Sequence, residues 1–231
     1  MENQAEIKAV LFDLDDTLVN SKMAEYKAIC EFKSLHNEFN QVEDAEFAKS
    51  WGKITMEIYE KYHQGKISFE ELRIGRMQGL FNYYSINISD ENAKEKFKDY
   101  QNIYEKNWIL FDDAKEVLEN LKNKYKLVIL SNGDGKQQRK KIEYTGLNKY
   151  FSDIVISSEV GYSKPEKEIF EIACKMINLK PENCIMIGDK YKVDVEGSLN
   201  AGMHGIWVNR KKEELKYKFQ IKELSELKNY L

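Results

Sequence analysis

Three aspartates, Asp13, Asp15 and Asp16, fall within four positions of FDLDDTL (12–18), directly behind an apolar run. Carboxylates this close repel one another, so the stretch reads as an acidic turn, a metal site, or a nucleophile with its acid–base partner. Polar residues also follow later apolar runs: Ser131 and Asn132 before Gly133, Lys164 in YSKPE, and Asp189 and Asp194 in GDKYKVD. Oxygen ligands without His or Cys select a hard cation such as Mg2+. With all four of Asp13, Asp15, Asp189 and Asp194 ionised the charge is −4, and Mg2+ with Lys164 returns +3. The remaining −1 would repel a phosphate unless a carboxylate is protonated or neutral donors help. Thr17, Ser131 and the loop amides near Asn132 and Gly133 can be those donors. On this reading Asp13 attacks phosphorus to form an aspartyl-phosphate, and Asp15 carries the proton for the leaving alcohol and then for water. Lys164 and Mg2+ neutralise charge on the transferring group.

The elements that must position these residues are five short apolar runs: 7–15, 126–133, 153–160, 184–190 and 204–210. Their β-branched, nearly continuous apolar character predicts parallel strands covered on both faces. Helical patterns precede and separate the last four. One follows Asp112 and Asp113, with Ala114, Val117, Leu118 and Leu121 on one face. The next runs from Gly135 to Thr145, closing at Gly146. A third begins at Pro165, with Ile169, Phe170, Ala173 and Ile177 inward, and a fourth spans Val193 to Ala201. The fold class is therefore α/β, a doubly wound and mainly parallel sheet. Ligands in such sheets bind outside the carboxyl ends of the strands, where the polar residues gather.

Ninety-odd residues without a comparable strand separate the first two runs, too many for a simple connection. They predict an inserted helical domain at 19–109, with 1–18 and 110–231 as the catalytic core. Tyr26, Ile29, Cys30 and Lys33 recur at helical spacing there, as do Ile54, Ile58, Lys61 and Tyr62. Ser68 with Glu71 three residues on forms a capping-box pattern.

The 231 residues carry a net charge of −3, which argues against a nucleic-acid polymer as partner. The basic clusters at 136–141 and 210–212 read as solvated helix faces. Cys30, Cys174 and Cys184 lack CxxC spacing, and His36, His63 and His204 lack metal-ligand spacing, so neither disulfides nor zinc are expected. No apolar run approaches the ~20 residues of a membrane span, and no signal pattern opens the chain. A cytoplasmic location, and a monomer or weak homodimer, are the expectations.

FDLDDTL, LSNG, SKP and GDKYKVDVEGSLNAGM, in this order, resemble the four motifs of the haloacid dehalogenase-like superfamily of phosphotransferases. The resemblance implies a Rossmann-like core with a helical cap inserted after the first strand. It implies Asp13 as nucleophile and Asp15 as acid–base. It also implies Mg2+ held by the Asp13 carboxylate, the Asp15 backbone carbonyl and Asp189, with Asp194 supporting metal and Lys164. Position 16, often glycine in relatives, is aspartate here. The stretch from Trp51 to Met77 is similar to caps of bacterial nucleotidases acting on pyrimidine nucleoside monophosphates, through Trp51, Tyr62, Gly65, Leu72 and Arg76. Trp51, Tyr59 and Tyr62 could stack on a base and Arg73 or Arg76 meet a phosphate, although packing between cap helices explains each equally well. The expected function is a Mg2+-dependent phosphomonoester hydrolase for a small phosphorylated metabolite, with nucleoside 5'-monophosphates among the candidates. A sugar-phosphate mutase and a non-catalytic binding module are the alternatives. Asp15 argues against dehalogenation, which has no leaving alcohol to protonate.

Overall fold

The computed structural model describes residues 6–210, 213–214 and 217–231. The chain divides into two compact units: one takes it as far as Ser21 and again over Trp108–Leu231, the other is Lys22–Asn107.

In chain order the elements are β1 (Ala9–Phe12), α1 (Ser21–Ser34), α2 (Asp44–His63), α3 (Phe69–Tyr83), α4 (Asp90–Lys106), α5 (Ala114–Leu121), β2 (Lys126–Ser131), α6 (Gly135–Tyr144), β3 (Asp153–Ile156), α7 (Ser157–Val160), α8 (Lys167–Met176), β4 (Cys184–Gly188), α9 (Gly197–Asn200), β5 (His204–Val208) and β6 (Gln220–Ile221). The strands form one parallel sheet in the order β3-β2-β1-β4-β5-β6. Successive residues of β1 alternate between two buried clusters. Val10 and Phe12 pack with Val117, Leu118 and Ile142. Ala9 and Leu11 pack with Ile169, Phe170 and Ala173 on the other face. The sheet is thus covered on both sides, as its strand composition demands. Phe12 pairs in register with Ile129 of β2 and Ile187 of β4, so these three strands end within two residues of one another.

Several expected elements end elsewhere. β3 stops at Ile156 because Ser157 and Ser158 turn back, their hydroxyls accepting the N–H groups of Gly133 and Gly135 at 3.0 and 2.9 Å. α8 begins at Lys167 rather than Pro165, whose preceding peptide bond is cis. The helix expected from Val193 opens at Tyr191 as a π-helical turn to Glu196 and then tightens into α9. The sixth strand, two residues long, escapes any hydrophobic-run criterion.

The Lys22–Asn107 unit consists of the rest of α1 with α2, α3 and α4 around one aromatic-rich cluster including Phe32, Phe39, Trp51, Phe81 and Tyr100. The capping box at Ser68 and Glu71 is formed. In α1 the buried face is Ala24, Ala28, Ile29 and Phe32. Of the four residues at helical spacing in α1, Ile29 is buried, Cys30 and Lys33 are half-buried and Tyr26 is exposed. Lys61 is likewise exposed.

Candidate active site

The end of β1 delivers Asp13, whose N–H bonds the Ile187 carbonyl of β4 at 2.9 Å. Thr17 Oγ1 donates to Asp13 Oδ2 at 3.2 Å, returning the turn onto the carboxylate. Lys164 arrives from the loop after α7 and is buried. Its Nζ donates to Asp13 Oδ1 at 2.6 Å and to Asp194 Oδ1 at 2.7 Å. Asn132, beyond β2, straps that loop down: its Nδ2 donates to the Lys164 carbonyl (2.9 Å), and its Oδ1 accepts the Lys164 N–H (2.8 Å). Both ends of the Asn132 amide are therefore engaged on the Lys164 backbone. The Gly133 amide, expected among the phosphate donors, is given instead to Ser157. The Asp194 carboxylate is held by Lys164 and by the Lys190 N–H at 2.9 Å, while the Trp207 indole N–H holds the Asp189 carbonyl, also at 2.9 Å.

Carboxylate oxygens of Asp13, Asp189 and Asp194 lie within 4.8 Å of one another. Burial pushes the Asp13 carboxyl up; Lys164 opposes this, Asp194 and Asp189 add to it, and the result is about 7. For Lys164 burial favours the neutral amine, but Asp13 and Asp194 outweigh it and hold the ammonium well above its ordinary range. Three carboxylates against one ammonium leave −2, and an all-oxygen set of that charge fits a hard divalent cation.

Asp15 stands apart from this cluster. Its carboxylate pairs with Lys141 Nζ, accepts the Ser21 hydroxyl, and accepts Gln138 Nε2 at 2.6 Å. Partial burial raises this carboxyl, but the Lys141 charge and the bonds from Lys141, Ser21 and Gln138 bring it down to about 2. Gln138 Nε2 also donates to Ser131 Oγ at 2.8 Å. Sequence reasoning missed Lys141 and Gln138, assigning 136–141 to a solvated face; both are buried. The signal was present: α6 has almost no apolar residue to turn inward, so Gln138, Lys141 and Ile142, at i, i+3 and i+4, had to form its inner face. Lys141 also supplies the positive charge missing from the sequence-based sum. With it, four aspartates face two lysines, and the −2 that remains is what one divalent cation would neutralise. In the second basic cluster Arg210 is half-buried, bonded to Asp113 at 3.0 Å and stacked 3.8 Å from the Phe111 ring. Lys211 and Lys212 lie outside the described residues.

A protein-family profile described as haloacid dehalogenase-like hydrolase matches residues 7–202. The chain belongs to that family. It is 30% identical over 211 residues to the N-acylneuraminate-9-phosphatase of Mus musculus, covering 89% of this chain and 84% of the mouse protein. It is 26% identical to the pyrimidine 5'-nucleotidase YjjG of Escherichia coli, over 87% of this chain and 85% of that one. Among solved structures, the magnesium-bound HAD-hydrolase YfnB of Bacillus subtilis superposes with a TM-score of 0.83 at 26% identity, covering 98% and 99% of the two chains; its crystal structure reveals interdomain movement. This haloacid dehalogenase-like chain is accordingly a hydrolase. Among its described residues no helix is long and apolar enough to cross a membrane.

Of the residues of the Lys22–Asn107 unit considered for substrate contacts, two are internal to it. Trp51 is 1% exposed and its indole N–H donates to Glu25 at 3.1 Å. Arg76 is buried between Glu25 (3.0 Å), Thr55 (3.1 Å) and the Trp51 ring, 4.3 Å away. A side chain so enclosed has no face for a base or a phosphate. Arg73 lies over the Phe69 ring at 4.5 Å, and Tyr62 meets the same ring at 5.8 Å.

Proposed function

We propose that the protein is a Mg2+-dependent phosphomonoesterase working through an aspartyl-phosphate on Asp13, with a small phosphorylated metabolite as substrate. The observation that carries the reading is the buried knot of Asp13, Lys164 and Asp194 beside Asp189, near the ends of three strands. Relatives named as phosphatases of an N-acylneuraminate 9-phosphate and of glyceraldehyde 3-phosphate, and as a pyrimidine 5'-nucleotidase, support a phosphorylated small molecule.

Asp13, with its charge partner Lys164 fixed beside it, attacks the substrate phosphorus. The ester P–O bond breaks and its electron pair leaves with the alcohol oxygen, which takes a proton from Asp15. Asp15 then removes a proton from water; the hydroxide attacks phosphorus, the acyl-phosphate bond breaks, and inorganic phosphate leaves with Asp13 restored. In the free protein Asp15 is a carboxylate, suited to the second half. The negative charge of a bound phosphate raises its proton affinity for the first. Thr17, Ser131, Lys164 and the backbone amide of Asn132 are the phosphate donors. Asp13, the Asp15 carbonyl and Asp189 would hold Mg2+, with Asp194 supporting Lys164 beside it. Bound there, the cation would supply positive charge to offset that of the phosphoryl group.

Hydrolysis of p-nitrophenyl phosphate by the full chain should require Mg2+ and fall at least about a thousandfold in Asp13→Asn, because no nucleophile remains. Activity surviving EDTA, or an active Asp13→Asn, contradicts the mechanism. A screen over nucleoside monophosphates, sugar phosphates and phosphorylated sugar acids identifies the substrate class.

A further inference from the structure

We propose that Lys141, assisted by Gln138, is a positioning residue for the acid–base Asp15, holding its carboxylate in one place and linking it to the phosphate donor Ser131. The inference rests on the phosphatase reading, since it is for that reaction that Asp15 needs a fixed position. Lys141 is 2% exposed, and its Nζ lies against Asp15 Oδ1 with the Trp108 ring 5.5 Å away. One turn earlier on α6, Gln138 reaches the second oxygen: its Nε2 lies 2.6 Å from Asp15 Oδ2 and 2.8 Å from Ser131 Oγ. Both oxygens of Asp15 are thus gripped from one helix face, 123 and 126 residues away in sequence.

A purely structural role explains this poorly. Burying an ammonium and a carboxylate costs more in desolvation than well-packed apolar residues of the same size would. Gln138 Oε1 is buried without a hydrogen-bond partner among the described residues. A residue selected for stability would not leave that acceptor unmet, whereas one selected to place its Nε2 between Asp15 and Ser131 would tolerate it. The arrangement resembles the outer supports of catalytic and metal-binding side chains, whose removal costs roughly 10–100-fold in activity.

The test is a double-mutant cycle on the full chain with saturating Mg2+ and p-nitrophenyl phosphate, read as kcat and KM separately and accompanied by thermal unfolding. Lys141→Met should lower kcat roughly 10–100-fold with KM within about twofold, and Lys141→Arg should recover part of the loss. In an Asp15→Asn background the same Lys141→Met change should cost less than about twofold, because a residue acting through Asp15 has nothing left to position. Thermal unfolding should show the same coupling: Lys141→Met lowers Tm by leaving Asp15 unpaired, and the double variant restores it. An inactive wild type overturns the phosphatase reading and this inference together. An active wild type with kcat undiminished in Lys141→Met, or with losses that multiply in the double variant, overturns the inference alone. Should Lys141→Met not fold, Gln138→Leu is scored against Asp15→Asn by the same criteria.

Discussion

At residue 16 the backbone turns with φ 62°, the left-handed region that L side chains other than Asn and Asp rarely adopt. The turn is needed: the Asp16 N–H bonds the Val19 carbonyl at 2.7 Å, and Val19 N–H bonds the Leu14 carbonyl at 2.9 Å. This closes the chain over Thr17 and brings its hydroxyl back to Asp13. Of the three aspartates in FDLDDTL, Asp16 is thus the one whose left-handed backbone makes the turn. Asp16→Gly, free to adopt this region, should keep the turn and the activity. Asp16→Val should lose about 1–3 kcal/mol, the cost of forcing a branched side chain into that region. Chemical denaturation of both variants decides it, and a Val variant as stable as wild type would show that the turn carries no strain.

The junction of β4 with the π-helical turn after it shows how elements place the lysine knot. A Cβ on Gly188 would sit 2.4 Å from Asp194 Cγ and Oδ2, so the strand ends in glycine to let that carboxylate lie against it. Gly188→Ala must displace Asp194 from Lys164 and from the Lys190 N–H. We expect roughly 10–100-fold lower activity, together with about 1–3 kcal/mol of destabilisation from overpacking. Gly52→Ala in α2, where nothing stands within 4 Å, should instead gain about 0.5–1 kcal/mol without touching turnover. Equal activity in the two variants would remove Gly188 from the argument. The strands were legible in the sequence because buried parallel strands are short apolar runs, and polar residues stand where those runs stop. Asp13, Ser131 and Asp189 lie at or just beyond strand ends, while Lys164 and Asp194 come from the loop after α7 and the turn after β4. What resisted reading was whatever depends on the direction a helix faces. Lys141 and Gln138 look like solvent residues until α6 is seen to have nothing else to turn inward. Trp51 and Arg76 look like ligand contacts until they are found packed against one another, and the two residues of β6 carry no periodicity at all.

Across the whole molecule a net charge of −3 conceals an uneven distribution, with −2 concentrated around Lys164 and a neutral pair at Asp15 and Lys141. That imbalance sets how the fold answers pH and metal together. Asp13 is raised from 3.8 to about 7, chiefly by burial, so in the metal-free protein its proton stabilises the fold. This contribution is complete below the unfolded value of 3.8 and is lost as pH rises through about 7. Asp15 runs the other way: lowered to about 2, its contribution is present above 3.8 and lost as pH falls toward 2. On the proposed function a divalent cation at the Asp13 cluster would compete with the Asp13 proton, because only the carboxylate can be a ligand. The apparent Mg2+ affinity should therefore weaken by about tenfold per pH unit once pH drops below about 7, and level off above it. At a fixed Mg2+ concentration, the rise in Tm on adding the cation should be largest near pH 8 and shrink steadily toward about pH 5.5, since stabilisation by a ligand follows its concentration relative to Kd. Asp13→Asn, which has no proton to displace, should bind Mg2+ more weakly and lose most of this pH dependence. A Mg2+-induced shift of constant size across that range, or one equally pH-dependent in Asp13→Asn, would place the titrating group somewhere other than Asp13.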